Sequence, residues 1–319
     1  MQEQTKLRYL FVQKAASFIG LCLIILSLNS CFFDKEIKQD TEIADFRNTM
    51  LRILDSLDTP QARIKAYESV LQEIKDDKYI ITERKKNNLL IDGLFYISEE
   101  YYKLRNYDKA IELCNEALKL NAQSAKAYYN RGVTYQAKDD LPIALSDYTK
   151  AIDLDPDYCD AYYNRGLVYE KLKDYNKALL DYDQALKLKP ACVTDIYIGR
   201  GNVYRGLNDT VRAIENYDKA LKSDSLNIEA YSNRGSLFAE SGKYEEALTD
   251  YARAIRIDSI NADLYNRQAY TFELMQDYTS AIDSYNEVVK LDPRGKNGYK
   301  KLAKEGIDRV KALKRKSRK

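Results

Sequence analysis

The residues able to do chemistry in this 319-residue chain form a short set, and histidine is not among them. Without it there is no Ser-His or Cys-His dyad and no imidazole metal ligand. Carboxylates number 49, but no pair stands out for acid–base work. Asp153, Asp155, Asp157 and Asp160 look like the opening of a calcium loop, yet no glycine follows Asp157 and Pro156 marks a turn. The stretch GRGNVYRG at 199–206 carries glycines, but it lies inside a helical pattern and follows no strand, so it does not read as a phosphate loop. Of the cysteines, Cys114 stands in a core tyrosine's place and reads as a small buried apolar residue. Cys159 and Cys192 fall at neighbouring turns. Successive helices pack about 8–10 Å apart, longer than the usual disulfide span. A bridge between them stays open without being required. No catalytic site, metal or cofactor is expected.

One cysteine has a context of its own. Lys6, Arg8 and Lys14 form a positive region, and residues 15–28 (AASFIGLCLIILSL) an apolar one, the layout of a secretory leader. Leu28-Asn29-Ser30-Cys31 follows and resembles the lipobox of bacterial lipoproteins. That resemblance implies cleavage before Cys31 and lipidation of its thiol and new amine. Residues 1–30 are then a signal peptide and 31–41 a charged tether. The alternative is an uncleaved anchor from Ala15 to Phe33, near the spanning minimum of about 18 residues. Either reading places the remainder outside the cytoplasm, at a bacterial envelope and most simply its outer membrane. Nucleic acid is not an expected partner there. Four Asp-Ser/Thr-aliphatic triplets, at 55–57, 209–211, 224–226 and 258–260, resemble an O-glycosylation sequence of exported bacterial proteins. Turn chemistry accounts for three of them equally well.

What must position any site is a repeat. Blocks of 34 residues begin at Ile91, Ala125, Cys159, Thr194, Ile228 and Ala262, with one inserted residue near Val193. The eighth position is always small: Ser98, Gly132, Gly166, Gly201, Gly235, Ala269. The eleventh is always aromatic, from Tyr101 to Phe272. The twentieth is alanine six times, and the twenty-fourth is Cys114 followed by Tyr148, Tyr182, Tyr217, Tyr251 and Tyr285. Asn106, Asp140, Asp174, Asp209 and Asp277 share the sixteenth position, as helix N-caps would. Small residues sit where two helices approach closely, and aromatics at helical spacing fill the gaps beside them.

This pattern resembles the tetratricopeptide repeat, in which each unit is two antiparallel helices. The resemblance implies an all-α solenoid, a right-handed superhelix of six units (91–124, 125–158, 159–192, 194–227, 228–261, 262–295). A helical N-terminal cap is expected at 42–90, with a degenerate repeat over 42–76 as the alternative: a first helix carries Phe46, Met50, Ile53 and Leu57, and a second carries Ala62, Ala66, Val70 and Ile74 behind an N-cap at Thr59 and a first-turn Pro60. A capping helix and basic tail fill 296–319. Residues 294–319 carry a net charge of +10 and residues 1–30 a net of +2; the whole chain is +2, which leaves −10 for the body between them. The tail reads as a solvated helix end or a contact for anionic headgroups.

In the family, the second, fifth, sixth, ninth and twelfth positions face a concave groove where peptides lie. The resemblance carries that role onto Phe95 and Tyr102, then Lys126, Tyr129 and Asn130, then Tyr163 and Asn164. Asn202 and Arg205 follow, then Asn233, and finally Asn266, Arg267 and Tyr270. Acids hold the second position in five units (Asp92, Asp160, Asp195, Glu229, Asp263), so one rim is negative. Rings beside amides suit protein recognition. The family's carboxylate clamp is not carried over, because the fifth position has no lysine. Arg131 and Arg165 stand where the family places leucine, with stems expected to pack and heads to reach water. The functional expectation is a non-catalytic scaffold binding protein segments in the groove. The alternative is a structural subunit of an envelope assembly. If Cys31 is the lipid site, cells fed a clickable fatty acid should label the wild-type chain and not Cys31→Ala; equal labelling would remove the anchor.

Overall fold

The computed structural model describes residues 56–76, 83–188, 191–295 and 298–316, together with Asn48 and Arg52. The leader, Cys31, the tether and most of the expected first cap helix lie outside the described residues. Within them are fourteen helices and no strand. The chain divides into two compact parts, 1–156 and 157–319.

The first part holds α1 (Pro60–Lys75), α2 (Glu83–Lys103), α3 (Tyr107–Leu120), α4 (Ala125–Ala137) and α5 (Leu141–Leu154). Thr59 caps α1 through its hydroxyl, which accepts from the Ala62 N–H at 3.3 Å, and Pro60 occupies the first turn. The buried face of α1 is Ile64, Tyr67, Leu71 and Ile74, which keeps Ile74 of the stripe read from the sequence and replaces Ala62, Ala66 and Val70. The larger side chains remove more apolar area from water. Ala66 and Val70 pack at the edge of that cluster.

The second part holds α6 (Cys159–Lys171), α7 (Tyr175–Lys187), α8 (Val193–Gly206), α9 (Thr210–Ser223), α10 (Ile228–Glu240), α11 (Tyr244–Ile257), α12 (Ala262–Leu274), α13 (Tyr278–Leu291) and α14 (Tyr299–Lys316). In each part a helix touches its chain neighbours and, one repeat on, the equivalent first helix. This is the nearest-neighbour packing of repeat proteins. The last helix, α14, buries Ala303, Gly306, Ile307 and Val310 against α12 and α13.

Each pair of helices in a repeat is joined by the same turn. Its fifteenth residue has a left-handed backbone: Arg105, Asp139, Lys173, Asn208, Gly242 and Gln276, with φ between 58° and 76°. The next residue's N–H reaches back to the carbonyl of the eleventh-position aromatic, for example Asn106 to Tyr101 and Asp174 to Tyr169, both 2.9 Å. This bonding satisfies helix-end carbonyls. Side-chain caps follow at Asn106, Asp174, Asp209 and Asp277. Asp140 starts α5 without a side-chain cap bond, beside a proline that has no N–H to donate.

Inside three of the six repeats an unexpected charged pair joins the two helices. Arg131, Arg165 and Arg234 do not send their heads to water. Each clasps a buried aspartate sixteen residues on with two parallel bonds of 2.7–2.8 Å: Asp147, Asp181 and Asp250. Fork-on-fork geometry of this kind is strong and directional. The third guanidinium nitrogen of Arg131 reaches Asn115 of the preceding repeat at 2.6 Å, and that of Arg234 reaches Asp218. The fourth repeat breaks the pattern. Among the described residues Arg200 pairs with Asp183 of the preceding repeat and not sixteen residues on, where Asn216 stands and donates instead to the Arg212 carbonyl at 2.7 Å. The Arg200 Nε and the Asn216 Oδ1 are left buried without hydrogen-bond partners among the described residues.

A buried donor and a buried acceptor left unmade cost about 1–3 kcal/mol each. Asn216→Asp should therefore complete the clasp and raise urea-unfolding stability by about 1 kcal/mol. Asp250→Asn, which breaks an intact clasp, should lower it by about 1–3 kcal/mol. The same sign for both changes would refute this account of the pair.

Candidate functional site

The expected groove residues are positioned by the first helix of each repeat, and many are already engaged. In the first part, Phe95 is only 6% exposed and belongs to the core, with the Lys126 ammonium 4.9 Å above its ring. Tyr102 leans on Tyr107, centroids 5.6 Å apart, and Tyr129 tilts on Tyr148 at 6.0 Å. Asn130 is half-buried, and its backbone carbonyl accepts the Thr134 hydroxyl at 2.9 Å. An open hollow of about 430 Å³ lies elsewhere in this part, lined by Tyr128, Arg131, Leu145, Asp147, Lys150 and Asp153 among others. Its acids and bases offset each other in sign, and the Arg131–Asp147 clasp runs through it.

In the second part the first helices α6, α8 and α10 bring seven residues around a small cleft of about 60 Å³. Helix α6 gives Tyr163 and Leu167. Helix α8 gives Asp195, Ile198, Gly199 and Asn202, and α10 gives Glu229. Tyr163 tilts on the buried Tyr182 at 6.1 Å, and burial raises its phenol above the usual tyrosine range, reinforced by Asp195 and Glu229. Asn202 accepts from the Tyr217 hydroxyl at 2.8 Å and from Asn233 at 3.2 Å. Behind the cleft, Glu170 accepts the Tyr182 hydroxyl at 2.7 Å. Burial lifts the Glu170 carboxyl above its ordinary range, the bonds from Tyr182 and Asn202 oppose this, and the charge of Glu229 adds to it. Asp195 and Glu229 are exposed, and neither has an ion-pair partner among the described residues. The result is an acidic notch with a ring, two aliphatic side chains and an amide on its walls.

The remaining expected residues lie near the notch or beyond it. Asn164 donates to the Asp160 carbonyl at 3.0 Å, and Arg205 is paired with Glu240. Arg267 bonds Asp263 at 2.6 Å and the Ser236 hydroxyl at 2.9 Å. Asn266 is half-exposed and Tyr270 is 51% exposed. Glu170 holds a groove-facing twelfth position but is not among the expected groove residues, and it serves instead as partner for the Tyr182 hydroxyl. A signal existed in Gln136 and Glu273, which do the same for Tyr148 and Tyr285 at 2.6 and 3.2 Å. At the triplets, Asp224 accepts the Leu226 N–H at 3.0 Å and Asp258 the Ile260 N–H at 3.3 Å, as turn residues do.

Sequence models described as "Tetratricopeptide repeat" match residues 125–158, 159–192 and 262–294, and one described as "TPR repeat" matches 99–139, 201–242 and 235–276. Together they span more than half of the chain. No curated protein sequence gives a significant match. Among solved structures, a tetratricopeptide repeat protein from Parabacteroides merdae ATCC 43184 aligns with TM-score 0.60 at 17% identity, over 85% of this chain and 99% of that one. PilW, titled a widely conserved type IV pilus biogenesis factor, aligns with TM-score 0.62 at 14% identity, over 69% and 98%. PilF of Pseudomonas aeruginosa aligns with TM-score 0.56 at 19% identity, over 69% and 99%. At these identities the likeness is one of fold.

The lifted Glu170 carboxyl has a stability consequence of definite sign. Its folded pKa exceeds the unfolded one, so the charged form is penalised in the fold once pH rises through the folded value. Glu170→Gln keeps an acceptor for Tyr182 and removes the charge. It should raise the urea midpoint at pH 7, with a gain that shrinks at pH 4. A gain independent of pH would rule out the charge as its source.

Proposed function

Because the chain belongs to the tetratricopeptide repeat family, whose members are generally protein-interaction scaffolds, we propose that it is a non-catalytic adaptor that holds a partner segment against the first-helix face of its repeats. The observation that carries this reading is the notch of Tyr163, Leu167, Asp195, Ile198, Asn202 and Glu229. Its carboxylates are without counter-charges among the described residues. A segment presenting a lysine or arginine fits it: the aliphatic stem lies along Leu167 and Ile198 while the cation meets Asp195 and Glu229. The ring of Tyr163 offers a face to the same cation. We place the protein on the bacterial envelope through lipid at Cys31, with the leader sequence as support. PilW and PilF share the fold, and PilW is a type IV pilus biogenesis factor. A structural subunit role is the second reading, supported by the exposed lysines of α14.

Two matched synthetic segments, one with lysine and one with glutamate at the same places, distinguish these claims. The basic segment should bind the wild-type chain, and Asp195→Lys with Glu229→Lys should weaken it at least about tenfold, roughly 1.4 kcal/mol. Both residues are exposed, so the circular dichroism of the variant should match the parent. Equal affinity for the two segments, or no loss in the variant, would exclude the notch as the recognition site.

A further inference from the structure

Cys159 is the first residue of α6 and Cys192 is the N-cap of α8, one repeat later. The helix spacing of about 8–10 Å separates side chains in mid-helix, but these two thiols stand at helix starts, near enough that each affects the other's ionisation. Both are half-buried against the same cluster of Ala178, Tyr182, Ala185, Ile196 and Val203. The Cys159 thiol also donates to the Ala185 carbonyl at 3.6 Å. The Cys192 side chain makes no cap bond, so it is not committed to ending its helix.

We propose that Cys159 and Cys192 form a site of disulfide cross-linking, oxidised by exchange with a disulfide-class oxidant such as glutathione disulfide. One thiol loses its proton and attacks a sulfur of the oxidant, which releases one glutathione thiolate and leaves a mixed disulfide. The second thiol, deprotonated in turn, attacks the protein sulfur of that bond and expels the second glutathione. Two protein thiols become one S–S bond, and the oxidant is reduced to two thiols. The bond ties the start of α6 to the start of α8, one turn before Tyr163 and Asp195, and so fixes the spacing of two walls of the notch. Burial lifts the Cys159 thiol to about 11 and raises Cys192 as well, while Asp160 disfavours both thiolates and Asp195 that of Cys192. Exchange is therefore slow at neutral pH and speeds up as pH rises. Cys114 is buried against Ser98, its sulfur 3.4 Å from that hydroxyl, and its thiol is also raised to about 11 by burial. It serves as an internal control.

The full chain is incubated with glutathione disulfide at pH 8.5, alkylated and digested with trypsin. Peptides 151–165 and 188–200 should be recovered linked, with two hydrogens fewer than their sum, and Cys114 should be alkylated. The melting temperature should rise by several degrees and fall back with dithiothreitol. Cys159→Ser and Cys192→Ser should each lose the link and the shift, and Cys114→Ser should keep both. The proposal is overturned if Cys159 and Cys192 both remain open to alkylation, or if either links to Cys114 or to a second copy instead.

Discussion

In four of the six repeats a glycine at the eighth position lies against the ring of the tyrosine sixteen residues on, so closely that the two helices have no room for a methyl group. A β-carbon at Gly132, Gly166, Gly201 or Gly235 would stand 2.5–3.0 Å from Tyr148, Tyr182, Tyr217 or Tyr251. The ring is fully buried or nearly so in each case, and the rest of the repeat is arranged around it. Tyr182 is gripped from both sides, since a β-carbon on Gly199 of the next repeat would also meet it at 2.8 Å. The two ends of the array obey the same rule by other means. Ser98 takes the glycine's place where Cys114 replaces the ring, an exchange of volume across the contact. At the last repeat Ala269 carries a β-carbon, and the tight approach to Tyr285 is made by Gly306 of α14. Small-to-large changes at such contacts strain a close-packed core.

A buried tyrosine brings a hydroxyl that must be satisfied, and this requirement spreads from the packing into the chemistry of the first helix. Gln136, Glu170 and Glu273 serve at the twelfth position, and Asn202 and Ser236 at the ninth. These are residues that a reading by position assigns to the groove. The arginine–aspartate clasp lies beside the same ring and uses the neighbouring seventh and twenty-third positions. A buried ion pair adds little net stability over a well-packed apolar pair. The first repeat has that apolar version, in Ile97 and Leu113, and the last has a neutral one, in Gln268 and Ser284 at 3.1 Å. The charged version therefore fixes which helix faces meet more than it deepens the core.

The repeat and its core were legible because a 34-residue period keeps small and aromatic residues in register. The clasp was also written in the sequence, but only across columns: arginine at the seventh position goes with aspartate at the twenty-third three times, and isoleucine with leucine once. Each column alone suggests a solvated arginine. The left-handed turn residue was not legible, since five of its six occupants are not glycine, and it is fixed by bonding back to the eleventh-position carbonyl. The packing of Cys159 and Cys192 on one cluster was hidden for a related reason. A mean helix spacing describes axes, whereas these side chains leave from helix starts.

The candidate site was legible as a face and not as a list of side chains. Phe95 is held by the core, Asn202 by a tyrosine hydroxyl, and Arg205 and Arg267 by carboxylates. What remains free on the first-helix face of the second part is what the packing does not require. Asp195 and Glu229 line the notch beside Tyr163 and, among the described residues, do not accept the hydroxyl of a buried core tyrosine. Their charge thus has no counter-charge among the described residues, which is the ground for the proposed basic ligand. Residues that hold the helices together leave few choices of type, while residues at the second position leave many. In this chain that position is acidic in five of the six repeats, and at Asp195 and Glu229 the acid is exposed.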